Sequence, residues 1–353
     1  MIEGGFPAVS LKNTIKFVSE NAIYFVLFAL IVVIIMIDPT FFQPRCLRDI
    51  LIQSSTRAII ALGAMFAILT AGADLSSGRM VGFAAVISAS MLQTPTYLRL
   101  FFPDLPKFIE SVPWLGAIWL FIPILIAILV GLLFGLLNGL IVSKFGVPPF
   151  IATLGTMVII LGINSIYFNM PPNSSQPIGG LRNDFTTLGS GAIGTGDYSL
   201  PYIVLIALAV SFFMWVLMNK TRFGKNTYAI GGNINAAKVS GINVGRTILI
   251  MYAIAGALYG LAGVLEAART GGATNNYGNM YELDAIAACV VGGVSTTGGI
   301  GTVPGVLAGV LIFGVINYGL TYIGLDPYWQ LIIKGIIIVS AVAVDIRKYL
   351  AKK

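Results

Sequence analysis

The chain has 353 residues, 57% of them hydrophobic and 10% charged, with a formal charge of +7 and no histidine. Soluble domains carry about 25% charged residues, so this composition suits a bilayer and argues against a soluble enzyme or a nucleic-acid binder, whose cations would gather on one face. The missing histidine removes imidazole acid–base chemistry and His metal sites, and Cys46 and Cys289 are too far apart in sequence to form a metal or redox motif.

Ten apolar stretches are predicted as helical spans, at 20–37, 50–71, 79–93, 114–142, 149–170, 199–218, 246–267, 283–295, 301–323 and 328–346. Crossing the hydrocarbon core takes about 20 residues. The third and eighth are short and imply tilted, broken or shielded helices. The first follows Lys12 and Lys16 but is succeeded by "DPTFFQPR" rather than a small-residue cleavage site, so it reads as an uncleaved span. Placing the amino terminus inside puts thirteen Lys and Arg residues on the inner side and six on the outer side, with Arg57 and Lys334 within spans. The positive-inside rule then puts both termini in the cytoplasm, and Arg79 counts with the inner cations.

An internal repeat is visible. "LLFGLLN" from Leu132 and "LIFGVIN" from Leu311 share Phe, Gly and Asn, and each is followed by a Gly and a Pro before the next span. Spans two to five (50–170) and seven to ten (246–346) each hold a Gly/Ser-broken element, a Gly-spaced span, a Pro turn and a closing span. The two breaks read as "GADLSSGRMVG" and "GGVSTTGGIGTVPG". An offset of five spans inverts the second copy, a common transporter design. Gly131, Gly135 and Gly139, and likewise Gly301, Gly305 and Gly309, are four apart and make a smooth face for close helix packing.

Among the polar residues within spans, Asn138 and Asn317 hold matching repeat positions, and Asn164 is a third amide. Each has two readings, a bond to a neighbouring helix or a place on a path for a neutral solute. Arg57, Glu266 and Lys334 read as internal ion pairs or snorkelling ends. Asp74, Glu266, Asp284 and Asp345 fall near predicted span ends, which counts against an ion-coupled carrier.

The stretch 219–247 carries Lys220, Arg222, Lys225, Lys238 and Arg246 and no carboxylate, and it contains no phosphate-binding loop. Within it, "NINAAKVSG" reads as a short helix, capped by Asn233 or Asn235 and ended by Gly241 in a left-handed conformation. Ala236, Ala237 and Val239, with Lys238 and Ser240, would present a small apolar knob to a soluble partner. The outer loop "NMPPNSSQPIGGLRND", from Asn169, offers a second docking surface.

"FGKNTYAIGGNINAAKVSGINVGR" resembles the coupling loop of the monosaccharide branch of bacterial ABC importer permeases. "LTAGADLSSGRMVGFAAV", "YELDAIAACVVGGVSTTGGIGTVPG" and "FGVINYGLTYIGLDPYWQ" resemble the galactose/methyl-galactoside members of that branch, and the likeness spans nearly the whole chain. It implies an all-α polytopic permease of type II-like architecture in the inner membrane. It also implies a second copy of the chain, a sugar-type ATPase carrying the ATP and Mg, and a periplasmic or lipid-anchored sugar-binding protein. The chain itself would then hold no cofactor or metal. Docking of the ATPase would fall on Ala236, Ala237, Ser240 and Gly241. Ribose or xylose remains an alternative cargo, and a secondary sugar carrier an alternative class. A membrane enzyme lacks a visible catalytic cluster.

Overall fold

The computed structural model describes residues 22–350, which include fifteen α-helices, a 3-10 turn and one two-stranded ladder. In chain order the helices are α1 (Ala22–Ile37), α2 (Pro44–Leu69), α3 (Ser77–Met91), α4 (Leu105–Ser111), α5 (Pro113–Ile118), α6 (Phe121–Phe145), α7 (Pro149–Asn169) and α8 (Asn183–Ser190). There follow α9 (Tyr202–Lys220), α10 (Arg222–Gly232), α11 (Ile234–Val239), α12 (Val244–Thr270), α13 (Tyr281–Val291), α14 (Val303–Tyr322) and α15 (Pro327–Leu350). The strands β1 (Ala192–Ile193) and β2 (Leu200–Pro201) pair antiparallel.

Each predicted span overlaps helix, and among the described residues six helices, α2, α6, α7, α9, α12 and α14, are long and apolar enough to cross a membrane. The start of the first predicted span, at residues 20 and 21, lies outside the described residues, as do Lys12, Lys16, Lys352 and Lys353. The fourth predicted span is broken. A short helix, α5, ends at Ile118 and a separate helix begins at Phe121.

Two compact units divide these elements, residues 1–43 with 315–353, and residues 44–314. In the first, Asp38 caps the 3-10 turn Pro39–Phe42 by accepting from Thr40 N. Phe41 packs on the rings of Tyr318 and Tyr322, and the hydroxyls of Thr40 and Tyr322 bond.

In the second, α12 is the central helix, packed by α6, α3, α2 and α8. The amphipathic logic is clearest on α6. Leu125, Leu129, Leu133 and Leu137 are exposed at four-residue spacing, while Ala127, Gly131, Gly135 and Gly139 are buried on the opposite side. The leucines make a face suited to lipid. The glycines meet the backbone of α12 at Gly256, Gly260, Tyr252 and Leu249, leaving no room for a Cβ. The sequence pattern anticipates the Gly131–Gly139 face but not its partner, Gly256 and Gly260. Gly305 and Gly309 of α14 repeat the arrangement against Gly292 and Ala288.

At 1.5 Å per residue, α3 rises about 22 Å and α13 about 16 Å, too short for a core of about 30 Å. Both begin inside the bundle. The turn before α3 reaches Tyr259, near the middle of α12, and the start of α13 reaches Arg57, midway along α2. The segment that meets "GADLSSG" is therefore 271–280, where Gly78 abuts Gly278 and Gly82 abuts the Tyr277 carbonyl. The second break, "GGVSTTGG", packs against Leu69 at the end of α2.

Overpacking a close backbone contact costs about 1–3 kcal/mol or more. Gly135→Leu should lower the thermal midpoint of the purified protein by several degrees. Gly155→Ala, where a Cβ meets open space, should leave it unchanged or raised, since Ala gains about 1 kcal/mol of helix propensity. Equal midpoints for the two variants would contradict the α6–α12 packing.

Candidate functional site

Two places combine polar groups with unusual backbone. One is the middle of the bundle, where α3 and α13 start. The other is the basic handle, α10 and α11.

In the middle of the bundle, Asp74 is 1% exposed and accepts from Ser76 N (3.0 Å), Ser76 Oγ (2.6 Å) and Tyr259 Oη (3.1 Å). Ser76 Oγ in turn accepts from Asn138 Nδ2 at 2.9 Å, and Thr156 Oγ1 donates to Asn138 Oδ1 at 2.6 Å. Thr153 Oγ1 accepts from Leu75 N and donates within the same group of carbonyls. A non-helical backbone at this depth needs protein partners, because lipid offers none. This network supplies them for the Asp74 turn. Asn138 is 0% exposed, with both ends of its amide bonded to neighbouring side chains. Asn164, also buried, reaches the Asn275 carbonyl at 3.4 Å. Asn317, in the other unit, has a buried Oδ1 with no hydrogen-bond partner.

A second network fixes α13. The Arg57 guanidinium pairs with Asp284 at 2.6 Å and stacks 3.6 Å over the Tyr281 ring. Tyr281 Oη donates to Glu266 Oε1 at 3.0 Å, and Arg269 pairs with the same carboxylate at 2.7 Å. Arg57 and Glu266 thus form the internal pairs expected of them. The carboxylates are placed differently from the expectation. Asp74 and Asp284 stand near helix ends, but those ends lie within the bundle, so the sequence argument against an ion-coupled carrier loses its force. The Asp345 side chain lies outside the described residues. Arg79 starts α3 inside the bundle rather than in a loop, and donates to Asn279 Oδ1 at 2.7 Å.

The handle is more helical than its glycines suggest. Residues 222–232 form α10, which buries Gly224, Thr227 and Ile230. Gly224 lies on the Met218 backbone and Gly231 on Leu69 and Gly299, so both glycines serve close approach rather than flexibility. Gly299 N donates to Leu69 O at 2.8 Å, and Tyr228 Oη to Gly301 O at 3.0 Å. The handle is thereby tied both to the end of α2 and to the start of α14.

Asn233 caps α11 with bonds from Asn235 N and Ala236 N, both at 3.0 Å. Ser240 is the C-cap, and Gly241 has φ +81°. Ala237 departs from the expected knob. It is 3% exposed and packs inward, whereas Val239 is 91% and Ile234 42% exposed. Asn235, Ala236, Lys238, Ser240 and Gly241 are exposed beside them. Burial of one small alanine on a six-residue helix depends on neighbours that a local reading of the sequence does not contain.

At the opposite end of α12, the loop after α7 is held by bridges Gln93–Leu181 and Ile178–Ala273. Its hydrogen bonds from Arg182 hold the Asp184 carboxyl below the usual range. Tyr97, Leu98, Pro172, Asn173 and Gln176 line a groove of about 460 Å³ there.

The profile of the family described as "Branched-chain amino acid transport system / permease component" matches residues 46–342. The chain belongs to this permease family. Over 346 residues it is 52% identical to the galactose/methyl galactoside import permease protein of Escherichia coli K12, covering 98% of this chain and 99% of the relative. It is 51% identical to the protein of the same name from Haemophilus influenzae, with the same coverage. The ribose import permease protein of Bacillus subtilis is 38% identical over 91% of both chains. No solved structure matches. The family description names an amino-acid system, while these near-full-length relatives are named for sugars. This permease, then, is a multi-pass membrane protein rather than an enzyme.

Removing one partner of a buried ion pair costs about 3–5 kcal/mol, and replacing both partners costs far less. Arg57 retains 30% side-chain exposure, so Arg57→Met should fall at or below the low end of that range. Arg57→Met/Asp284→Leu should recover most of the loss in a thermal unfolding measurement. Equal loss in the single and double variants would show that the pairing is not what matters.

Proposed function

We propose that the chain is the membrane subunit of an ATP-driven, binding-protein-dependent monosaccharide importer, with galactose, glucose and methyl galactosides as cargo. The observation that carries this is the 52% identity, over nearly the whole chain, to a galactose/methyl galactoside import permease. Ribose or xylose as cargo is the weaker alternative, since identity to a ribose import permease is 38%.

In this reading about ten spans cross the bacterial inner membrane, both termini lie in the cytoplasm, and two copies of the chain assemble among the lipids. The cation asymmetry and the five basic residues of the handle support that orientation. Residues 50–170 and 246–346 form the inverted repeats. The meeting of Gly78 with Gly278 supports a pairing of the break 70–76 with 271–280.

A sugar-type ATPase, which brings its own ATP and Mg, docks on α11. Ile234, Ala236, Lys238, Val239, Ser240 and Gly241 face it, and Asn233, Asn235 and Ala237 set the helix in place. Movement of the handle passes through the junction of Gly231, Leu69 and Gly299 to α2 and α14. Helix α2 carries Arg57 at the centre of the bundle. Asn138 and Asn164 serve the path by holding the α3 and α13 turns. Asn317, with its free Oδ1, is the amide with an acceptor to offer. The sugar-binding protein meets the loop 169–184 and its groove.

One observation favours a second reading. Asp74 is buried near mid-depth, where a proton-coupled carrier places its titrating group. Uptake of labelled galactose into proteoliposomes separates the two. The importer takes up sugar only with the ATPase, the binding protein and ATP present. Uptake by the chain alone on a proton gradient would overturn this reading.

Val239→Asp should leave thermal stability unchanged, because the residue is 91% exposed. It should reduce co-purification of the ATPase about tenfold or more, as expected when a charge meets an apolar cleft. Undiminished co-purification and uptake would remove α11 from the docking surface.

A further inference from the structure

We infer that Arg79, Asn276, Asn279 and Glu282 form a contact point for monosaccharide hydroxyls on an aqueous path through the middle of the membrane. The inference rests on the importer reading and adds a specific site to it.

The loop 274–282 is fixed from behind. Gly278 lies on Gly78, the Tyr277 carbonyl on Gly82, and Asn164 bonds the Asn275 carbonyl. Tyr281 is clamped between Arg57 and Glu266. Met280 is held at φ +64°, a conformation that a residue with a side chain keeps only when its surroundings impose it. These contacts fix the buried side of the loop, so it is not a passive connector adjusting to lipid.

Its other side is uncovered. Asn276 and Asn279 are exposed, Arg79 is partly exposed, and Met280 and Leu283 are 41% and 37% exposed. Glu282 Oε2 is buried with no hydrogen-bond partner and lies over Gly78. These groups sit at the start of two half-length helices, at the depth of Tyr259 and Arg57. Polar groups facing hydrocarbon there are strongly disfavoured, so the uncovered side faces water or a polar solute.

The chemistry suits an uncharged sugar. Each hydroxyl both donates and accepts. Arg79 donates, Asn276 and Asn279 do both, and the Glu282 carboxylate accepts. One cation and one carboxylate leave the patch near neutral, so it does not favour an ion. Met280 and Leu283 supply an apolar surface for the C–H face of a pyranose ring.

The test uses the assembled complex with its ATPase and binding protein in proteoliposomes. Both native cysteines are buried, so Asn279→Cys can be probed directly with a water-soluble cationic methanethiosulfonate. It should react much faster than the parent chain, and labelling should block galactose uptake. No reaction would mean that lipid or protein covers the site, and would overturn the inference.

Asn279→Leu should lower galactose uptake about fivefold, the order of one lost hydrogen bond, while binding-protein-stimulated ATP hydrolysis stays near the parent level. Asn279→Gln should restore part of the uptake. Uptake and hydrolysis falling together would indicate a structural role and contradict the inference, as would unchanged uptake. If the parent complex shows no ATP-driven galactose uptake, the importer reading itself fails. If the parent transports and the variants behave like it, only the sugar contact fails.

Discussion

Two helices that begin halfway through a membrane bundle need partners for every backbone group on the way in. That constraint organises this molecule. The turn into α3 is satisfied by Asp74, Ser76 and Thr153, with Asn138 on α6 bonding Ser76 and Tyr259 on α12 bonding Asp74. The start of α13 is held through its side chains, Tyr281 and Asp284, by Arg57 and Glu266. The two turns touch through Gly78 and Gly278, where neither backbone leaves space for a Cβ. Close approach of α6 and α12 through their glycines brings the supporting side chains within reach.

The same constraint links the centre to the handle. Helix α2 carries Arg57 at its middle and Leu69 at its end, and Leu69 O accepts from Gly299 beside Gly231 of α10. A displacement of α10 would thus act on a helix whose midpoint clamps the start of α13. The loop 292–302 is bonded at the same point, and it leads from the end of α13 to the start of α14. Gly298 and Gly299, with φ of +89° and +74°, let that loop turn sharply against the handle. A motor bound to α11 would in this way act on the polar turns at mid-depth without touching them.

Much of this was legible in the sequence. The apolar runs located a helix for every predicted span, and the four-residue glycine spacing located the face of α6. The Asn233 cap and the left-handed Gly241 followed from local chemistry alone. What escaped depended on long-range contact. Gly224, Gly231 and Gly232 lower the helix propensity of their segment, yet tertiary packing makes α10 a helix and uses Gly224 and Gly231 for close approach. Ala237 turned inward on a short helix whose packing partners are α10 and α12, which local helix chemistry does not reveal. Asp74 and Asp284 looked like end-of-span residues because sequence position does not reveal that a helix starts inside the bundle. The pairing of 70–76 with 271–280 was hidden for the same reason, since its Asn-rich second member shares no residues with "GADLSSG" beyond glycine and alanine.

The most direct measurement of the central claim is the composition of the complex extracted in mild detergent from its native membrane and weighed intact. The account predicts two copies of this chain with an ATPase pair held at the handle. The chain recovered reproducibly alone, folded and able to move sugar in vesicles without ATP, would contradict it.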